Sequence, residues 1–146
     1  MSGIVNVTGA RSGVIGTITA PPATAITYEE GTWTVSSTGS MSGANALYTR
    51  IGNTCTVGFY GTFSGSPSGD IYFTGLPFSP GTTCQAAGSI TIISLESDLA
   101  GYYSAIIAGG PTVYIRNGGI TGAGDIVATN CDTGTQLWFG MTYLIT

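Results

Sequence analysis

Apolar and polar side chains alternate along most of the chain after Tyr28, and this alternation restricts the possible folds more than any other feature of the sequence. In "TCTVGFYGTF" (54–63), every second residue from Cys55 to Phe63 falls on one face, while three threonines and Tyr60 fall on the other. A repeat of two residues is the period of a β-strand, whereas an α-helix repeats every 3.6 residues. This stretch therefore predicts a strand with one buried face.

The C-terminal run "LWFGMTYLIT" (137–146) has the same period and is apolar on both faces. Alternate residues from Leu137 to Ile145 share one face, and the other carries Trp138, Thr142 and Leu144. A strand with two apolar faces is typical of a position that is covered on both sides. We therefore expect Trp138 and Leu144 to contact another subunit.

Six further short runs have strand character, so the chain holds about eight strands separated by turn residues. The 24 glycines punctuate turns, and the many threonines fit the pleated surface of a sheet. The sequence therefore predicts an all-β fold, an antiparallel β-sandwich of jelly-roll type. One helical turn, near 97–101, is the only helix expected. The six runs are "GTWTVSS", "ALYTRIG", "IYFTGL", "GSITIIS", "YYSAIIA" and "PTVYIRN".

Residues 1–26 differ from the remainder and predict an extended N-terminal arm. Pro21-Pro22 favours an extended backbone, and Gly, Ser and Thr surround a few apolar residues. An arm with apolar side chains but no core of its own is expected to dock on a neighbour, with Arg11, Val14 and Ile15 as its contacts. Residues 27–146 then form the β-sandwich domain, in keeping with one domain for a chain of 146 residues.

Charged residues make up 7% of the chain, against about 25% in a typical soluble domain. With three arginines, no lysine and a net charge of −4, the chain offers no basic patch for nucleic-acid phosphates. No window reaches the length of apolar sequence that a membrane span requires. The N-terminus also lacks the pattern of a secretory signal. We expect synthesis in a cytoplasm, no nucleic-acid partner and no membrane insertion.

Cys55, Cys84 and Cys131 are odd in number and show no Cys-x-x-Cys spacing. Histidine is absent, so a structural zinc site would need a fourth thiolate or a carboxylate. Buried, reduced thiols are the favoured interpretation. We therefore predict no metal, no cofactor and no disulfide.

The absence of histidine and lysine also removes Ser-His and Cys-His pairs and Schiff-base chemistry. Carboxylates remain: Glu96 and Asp98 lie two residues apart, and a retaining glycosidase needs two carboxyls about 5–5.5 Å apart. A solvated turn is the favoured alternative. We expect that the chain is not an enzyme.

The sequence signals for sugar binding and for phosphate binding are weak. Tyr102, Tyr103 and Tyr114 could stack on sugars, although tyrosines on strands more often pack against their neighbours. The glycine-rich stretch "NGGITGAGD" (117–125) lacks the helix that a phosphate loop opens. It predicts a wide hairpin loop.

Three stretches, "YEEGTWT" (28–34), "LYTRIGN" (47–53) and "FTGLPF" (73–78), resemble in this order the C-terminal β-domains of bacteriophage tail fibres and related virion surface proteins. In that family an acidic pair followed by Gly-Thr-Trp-Thr opens the domain. The resemblance covers the chain from about Tyr28 to its end. Val35 departs from the pattern, since the family commonly has proline there.

The resemblance implies a β-sandwich that assembles as a trimer and presents a surface rather than catalysing a reaction. Glu29 and Glu30 then mark the junction of the arm with the first strand, and Trp33 is the first core residue. The edges support self-assembly independently, because sheets usually protect edge strands with Lys, charge or Pro and this chain has few such residues. A closed homotrimer is the natural expectation.

We therefore expect a phage virion structural protein, a trimeric capsid decoration (cement) protein whose partners are its own copies and the major capsid protein. Only about 27 residues precede the domain, which is short for a shaft and suits an arm that clamps a lattice. The alternative is a tail-fibre or receptor-binding tip that attaches to host-surface glycans. A glycan-cleaving enzyme that uses Glu96 and Asp98 is the third and least favoured interpretation.

Overall fold

A computed structural model describes residues 26–83, 85–94, 103–108, 110–119, 122–125 and 131–146. These residues form strands and turns and contain no helix, which confirms the all-β prediction. The strands are β1 (Tyr28–Thr32), β2 (Ser36–Ser37), β3 (Met41–Ile51), β4 (Thr54–Phe63), β5 (Tyr72–Thr74), β6 (Gln85–Ile93), β7 (Tyr103–Ala108), β8 (Val113–Gly119), β9 (Gly122–Asp125) and β10 (Gln136–Leu144).

The strands pair in one antiparallel sheet that forms a half-barrel. Nine of them follow the order β1-β3-β4-β10-β6-β7-β8-β5-β2, and β9 pairs with β8 beside this path. The long hairpin β3–β4 and the C-terminal strand β10 lie next to one another in the middle of the molecule. Only β1 and β2 end the path, so most backbone groups are paired on both sides.

The two strands singled out by their alternation behave as predicted. Residues from Cys55 to Phe63 on β4, and from Leu137 to Ile145 at β10, are buried at every second position. Direct cross-strand partners such as Phe59 and Phe139 point to the same face of the sheet. The inner face of the β4–β10 pair is therefore the centre of the hydrophobic core.

Aromatic contacts show that the sheet curls over this centre. The ring centroid of Phe73, on β5, lies 4.9 Å from that of Phe59 and 5.2 Å from that of Phe139. Along the sheet β5 is far from both, with β6, β7 and β8 between. Inner faces that are distant in the hydrogen-bonded order thus pack directly on each other.

The chain itself connects the two ends of the sheet. The segment from Trp33 to Val35 leads from β1, at one end of the path, to β2, at the other. The run 31–37, expected as a single strand, is therefore divided. Trp33 is 8% exposed and its backbone N–H donates to Ala46 O at 3.1 Å, so its burial fixes the point where the chain crosses from one end to the other.

Several other expectations can be compared with the structure. The glycine-rich stretch is a hairpin, but the predicted wide loop is wrong: Gly119 pairs with Gly122, which leaves two residues between the strands. The expected helical turn at 97–101 and the arm, apart from Ile26, lie outside the described residues. The described residues contain no helix that is long and apolar enough to cross a membrane.

Candidate interaction surface

The stretches 28–34, 47–53 and 73–78 form one contact cluster, which we call the motif cluster. Tyr48 lies at its centre: its hydroxyl donates to Glu29 Oε1 at 2.7 Å, and its ring meets Phe78 edge-on at 5.4 Å. The Arg50 guanidinium lies 4.8 Å from the centroid of the same Phe78 ring. Cation–π and edge-on aromatic contacts each stabilise a fold by about 0.5–1.5 kcal/mol. The cluster therefore ties β1, β3 and the segment after β5 together.

A glycine in each of two stretches permits the close packing of this cluster. A Cβ at Gly31 would lie 3.0 Å from the Tyr48 ring. Gly75 has φ +90° and lies against the carbonyl oxygen of Thr34, where a Cβ would clash. Gly75 therefore requires glycine, whereas a side chain at Gly31 would require the Tyr48 ring to shift.

Glu29 and Glu30 do not form a catalytic pair in this arrangement. Adjacent residues on a strand point to opposite faces, and each carboxylate accepts a hydrogen bond from a different tyrosine. The hydroxyl of Tyr28 donates to Glu30 Oε2 at 2.7 Å, as that of Tyr48 does to Glu29. Each hydrogen bond to a carboxylate raises the pKa of its tyrosine. The acidic pair therefore has structural partners.

A row of exposed apolar side chains crosses the outer face of β1, β3, β4 and β10. The register aligns Tyr28 with Ile51, Ile51 with Thr54, and Thr54 with Leu144. Ile26 lies at the end of the row, beside Gly52. We call Ile26, Tyr28, Ile51 and Leu144 the apolar strip; they are 73%, 61%, 54% and 56% exposed. Apart from Thr54 on β4 the row is apolar, and exposed apolar side chains grouped in this way mark an interaction site more often than scattered residues do.

The same outer face carries a second feature, a depression whose floor is Gly58 on β4 and Gly140 on β10. The two glycines are direct cross-strand partners, so two positions of the outer face lack side chains side by side. Neither has a positive φ. A Cβ at Gly58 would meet no atom within 4 Å, and one at Gly140 only the oxygen of Val57 at 3.9 Å.

Residues two positions along the strands form the walls of this depression, which we call the glycine trough. On one side the rings of Tyr60 and Trp138 pack together with centroids 5.0 Å apart and planes at 30°. On the other side the hydroxyls of Thr56 and Thr142 hydrogen-bond at 2.9 Å. The trough thus lies between an aromatic pair and a hydroxyl pair.

The residues expected to contact another subunit are separated by the trough. Trp138 and Leu144 are on the same face of β10, but six residues at about 3.4 Å each place them about 20 Å apart. Leu144 is part of the apolar strip, whereas Trp138 packs against Tyr60. The sequence pattern grouped two residues that belong to different features.

Of the other residues singled out in the sequence, only some are among the described residues. Arg11, Val14, Ile15, Cys84, Glu96, Asp98 and Tyr102 lie outside the described residues. Tyr114 faces Tyr72 with ring centroids 6.2 Å apart, an inter-strand packing contact. Tyr103 is half-buried on β7 and packs against the core.

Two thiols lie in the core, as expected for small buried side chains. Cys55 and Cys131 are buried and free. Burial raises the pKa of both thiols, and for Cys131 burial and the neighbouring Asp132 carboxylate raise it to about 11. Neutral, buried thiols are poor nucleophiles and poor metal ligands. The described residues hold no group of three or more His, Cys, Asp or Glu side chains that could bind a metal ion.

The sequence analysis did not identify the trough, although the sequence contains a signal for it. Gly58 stands two residues before Tyr60, and Gly140 stands two residues after Trp138. At a period of two, each glycine shares a face with its aromatic neighbour. Only the antiparallel register of β4 and β10 brings the two pairs together.

Searched against protein-family models, curated proteins and solved structures, the chain has no significant match in any of the three.

Proposed function

We propose that this chain is a structural protein of a bacteriophage virion and that it acts as a homotrimeric capsid decoration protein. The observation that carries the proposal is the apolar strip, four exposed apolar side chains on the outer face where the chain enters its first strand. Burial of such side chains contributes about 25 cal/mol per Å² of apolar surface. Contact with further copies of the chain supplies that burial without any other partner.

The motif cluster supports the assignment to virion proteins. The residues that resemble the phage family contact one another in space, with Tyr48 touching Glu29 and Phe78. They form a structural core for the end of the sheet, in keeping with a family that presents surfaces. The curled sheet, with Phe73 packed across on Phe59, is in turn compatible with a jelly-roll-like sandwich over 27–146.

The arm is proposed to attach the trimer to the capsid lattice. It joins the domain at Ile26, which is the end of the apolar strip, so an arm and a subunit contact at this end can be continuous. Arg11, Val14 and Ile15 are the proposed contacts with the major capsid protein. Ordering such a segment on binding costs conformational entropy, which buried apolar contacts must offset.

The test adds purified protein to phage particles that lack it. The intact chain is compared with a chain lacking residues 1–18, and occupancy is counted by imaging of the particles. We expect the intact chain to occupy the capsid surface and the shortened chain to lose occupancy. Equal occupancy would place the docking surface on the β-domain instead.

The second candidate is a tail-fibre or receptor-binding tip, and the glycine trough favours it. A depression with an aromatic wall and a hydroxyl wall is a surface that can recognise a ligand outside the virion. Labelling of the protein in intact particles separates the candidates, because a signal at the tail would exclude capsid decoration. Binding to host cells rather than to particles would support the tip.

A further inference from the structure

The glycines of the trough are not explained by the fold. Glycine within a strand costs about 0.5–1 kcal/mol relative to alanine, so its presence usually reflects a positive φ, a bulge, a tight bend of the sheet or a close approach by another group. The pairing of β10 with β4 runs without interruption from Gln136↔Thr62 to Leu144↔Thr54, so no bulge occurs there. Neither Gly58 nor Gly140 has a positive φ or a neighbour that excludes a Cβ. Two reasons remain: a bend of the strands in the curled sheet, which would make alanine at Gly140 destabilising, and an approaching group from outside.

The surroundings limit the chemistry of that group. The side chains around the floor are uncharged: Leu47, Thr56, Tyr60, Ser89, Trp138 and Thr142. Among the described residues around the floor there is no charged side chain to balance a phosphate, a carboxylate or an ammonium group. Hydroxyls and aromatic rings instead suit a neutral ligand with both polar groups and an apolar face.

The backbone around the floor argues against an extended peptide. Gly58 pairs with Leu47 on one side and with Gly140 on the other, and Gly140 also pairs with Ser89. Peptides that add a strand need the free backbone groups of a sheet edge. A peptide over this face would find none and would leave its own N–H and C=O groups without sheet partners.

We propose that the glycine trough binds a neutral saccharide, with one sugar ring over Gly140 against Trp138. A hollow of 130 Å³ lies on the β6 side of Gly140, where the trough meets β6, and it is lined by residues 89–91 and 138–140. This volume is below the 300–1,000 Å³ of pockets for drug-sized ligands, so it suits a single ring. The aromatic wall covers the apolar face of the ring, and the hydroxyls of Ser89 and Thr91 meet its hydroxyl groups. The site is independent of whether the protein sits on capsid or tail.

The test uses ¹⁵N-labelled full-length protein and a panel of neutral sugars: glucose, galactose, mannose, N-acetylglucosamine and their disaccharides. Each is added up to about 50 mM, which covers the millimolar dissociation constants of weak ligands. We expect at least one sugar to shift the amide signals of Gly58 and Gly140 and the indole N–H signal of Trp138. The indole N–H of buried Trp33 is an internal control and stays unchanged. No shift with any sugar, either in the full-length protein or in a chain lacking residues 1–25, would overturn the proposal.

Variants that fill the floor separate binding from folding. In Gly140→Thr and Gly58→Thr the new Cβ meets no atom closer than 3.9 Å, so we expect both variants to fold and to lose sugar affinity by about tenfold or more. The matched control is Gly65→Thr, since Gly65 lies beyond the end of β4 and also has open space around its Cβ position. Unchanged affinity in both trough variants would exclude the site.

A different occupant gives a different result. If the trough is a contact between copies, Gly140→Thr lowers the mass measured by sedimentation and no sugar shifts the signals. If residues 1–25 cover it, sugar binding appears only after they are removed. The first result contradicts the proposal, and the second confirms the site while showing that the arm competes for it.

Discussion

Phe59 and Phe73 pack with ring centroids 4.9 Å apart although four strands separate β4 from β5 along the sheet. The contact exists because the sheet curls, and it joins parts of the core that no local pairing brings together. Fully buried Phe73 and 4% exposed Phe59 also meet Phe139. The three rings thus hold the two ends of the curl in contact.

We expect Phe73→Ala to lower the free energy of unfolding by about 3–5 kcal/mol, because it removes a buried ring and leaves a cavity. Phe73→Leu keeps most of the volume and costs about 1.5 kcal/mol or less. Urea unfolding measures both. The control is Ile93→Ala, at a side chain that is 47% exposed on the outer face, with an effect within about 0.5 kcal/mol. A small loss in Phe73→Ala would mean that the curl is held elsewhere.

Replacing glycine by alanine is expected to have opposite effects on stability at Gly140 and at Gly75. Gly140→Ala introduces a Cβ with open space around it, so we expect a gain of about 0.5–1 kcal/mol in the free energy of unfolding. Gly75→Ala forces a residue with φ +90° to carry a Cβ against the oxygen of Thr34. We therefore expect the free energy of unfolding to fall by about 1–3 kcal/mol or more. Thermal and urea unfolding of the two variants provide the comparison. A loss of stability in Gly140→Ala would show that the trough glycine has a structural role.

The strands of the core could be predicted from the sequence because their alternation records which side chains are buried. The division of the run 31–37 into β1 and β2 could not be predicted, because burial of Trp33 at a crossing between sheet ends has no local signature. The trough was not predicted for a similar reason. Gly58 and Gly140 are far apart in the chain, and only the register of β4 and β10 makes them neighbours. Pairing between distant strands is decided by the whole core rather than by a short stretch.

The buried thiol of Cys131 predicts a pH dependence of stability in the alkaline range. Its pKa is about 11 in the folded protein, against 9.0 for a free thiol. The unfolded chain therefore loses its proton first, and stability falls as the pH rises from about 9 to 11, while below pH 9 the contribution is complete. Tyr28 and Tyr48 also have raised pKa values and act in the same direction.

Cys131→Ala isolates the contribution of the thiol. We expect this variant to be less stable than the parent at pH 8 because of the missing sulfur, and to lose less stability between pH 9 and 11. Urea unfolding at a series of pH values measures the difference. Equal slopes in the two proteins would show that the thiol ionises as easily in the folded chain as in the unfolded one.

Self-association through the apolar strip is the last prediction. Ile51 and Leu144 are more than half exposed and lie in one row across β3, β4 and β10. Full burial of such a side chain contributes about 1.5–3 kcal/mol. We therefore expect the double variant Ile51→Thr, Leu144→Thr to weaken association by tenfold or more at each contact, since about 1.4 kcal/mol corresponds to a factor of ten. Sedimentation equilibrium measures the effect.

Ile93→Thr is the matched control, because Ile93 is a similarly exposed apolar residue on the same outer face but lies outside the strip, beside Gln136. Its association constant should equal that of the parent protein. Exposed threonines suit strands, so neither variant should unfold the domain. If Ile93→Thr dissociates the protein as strongly as the double variant does, the contact extends over the whole outer face and must cover the trough as well. If neither variant dissociates the protein, the copies contact one another elsewhere, and the apolar strip is free to bind the arm or the capsid.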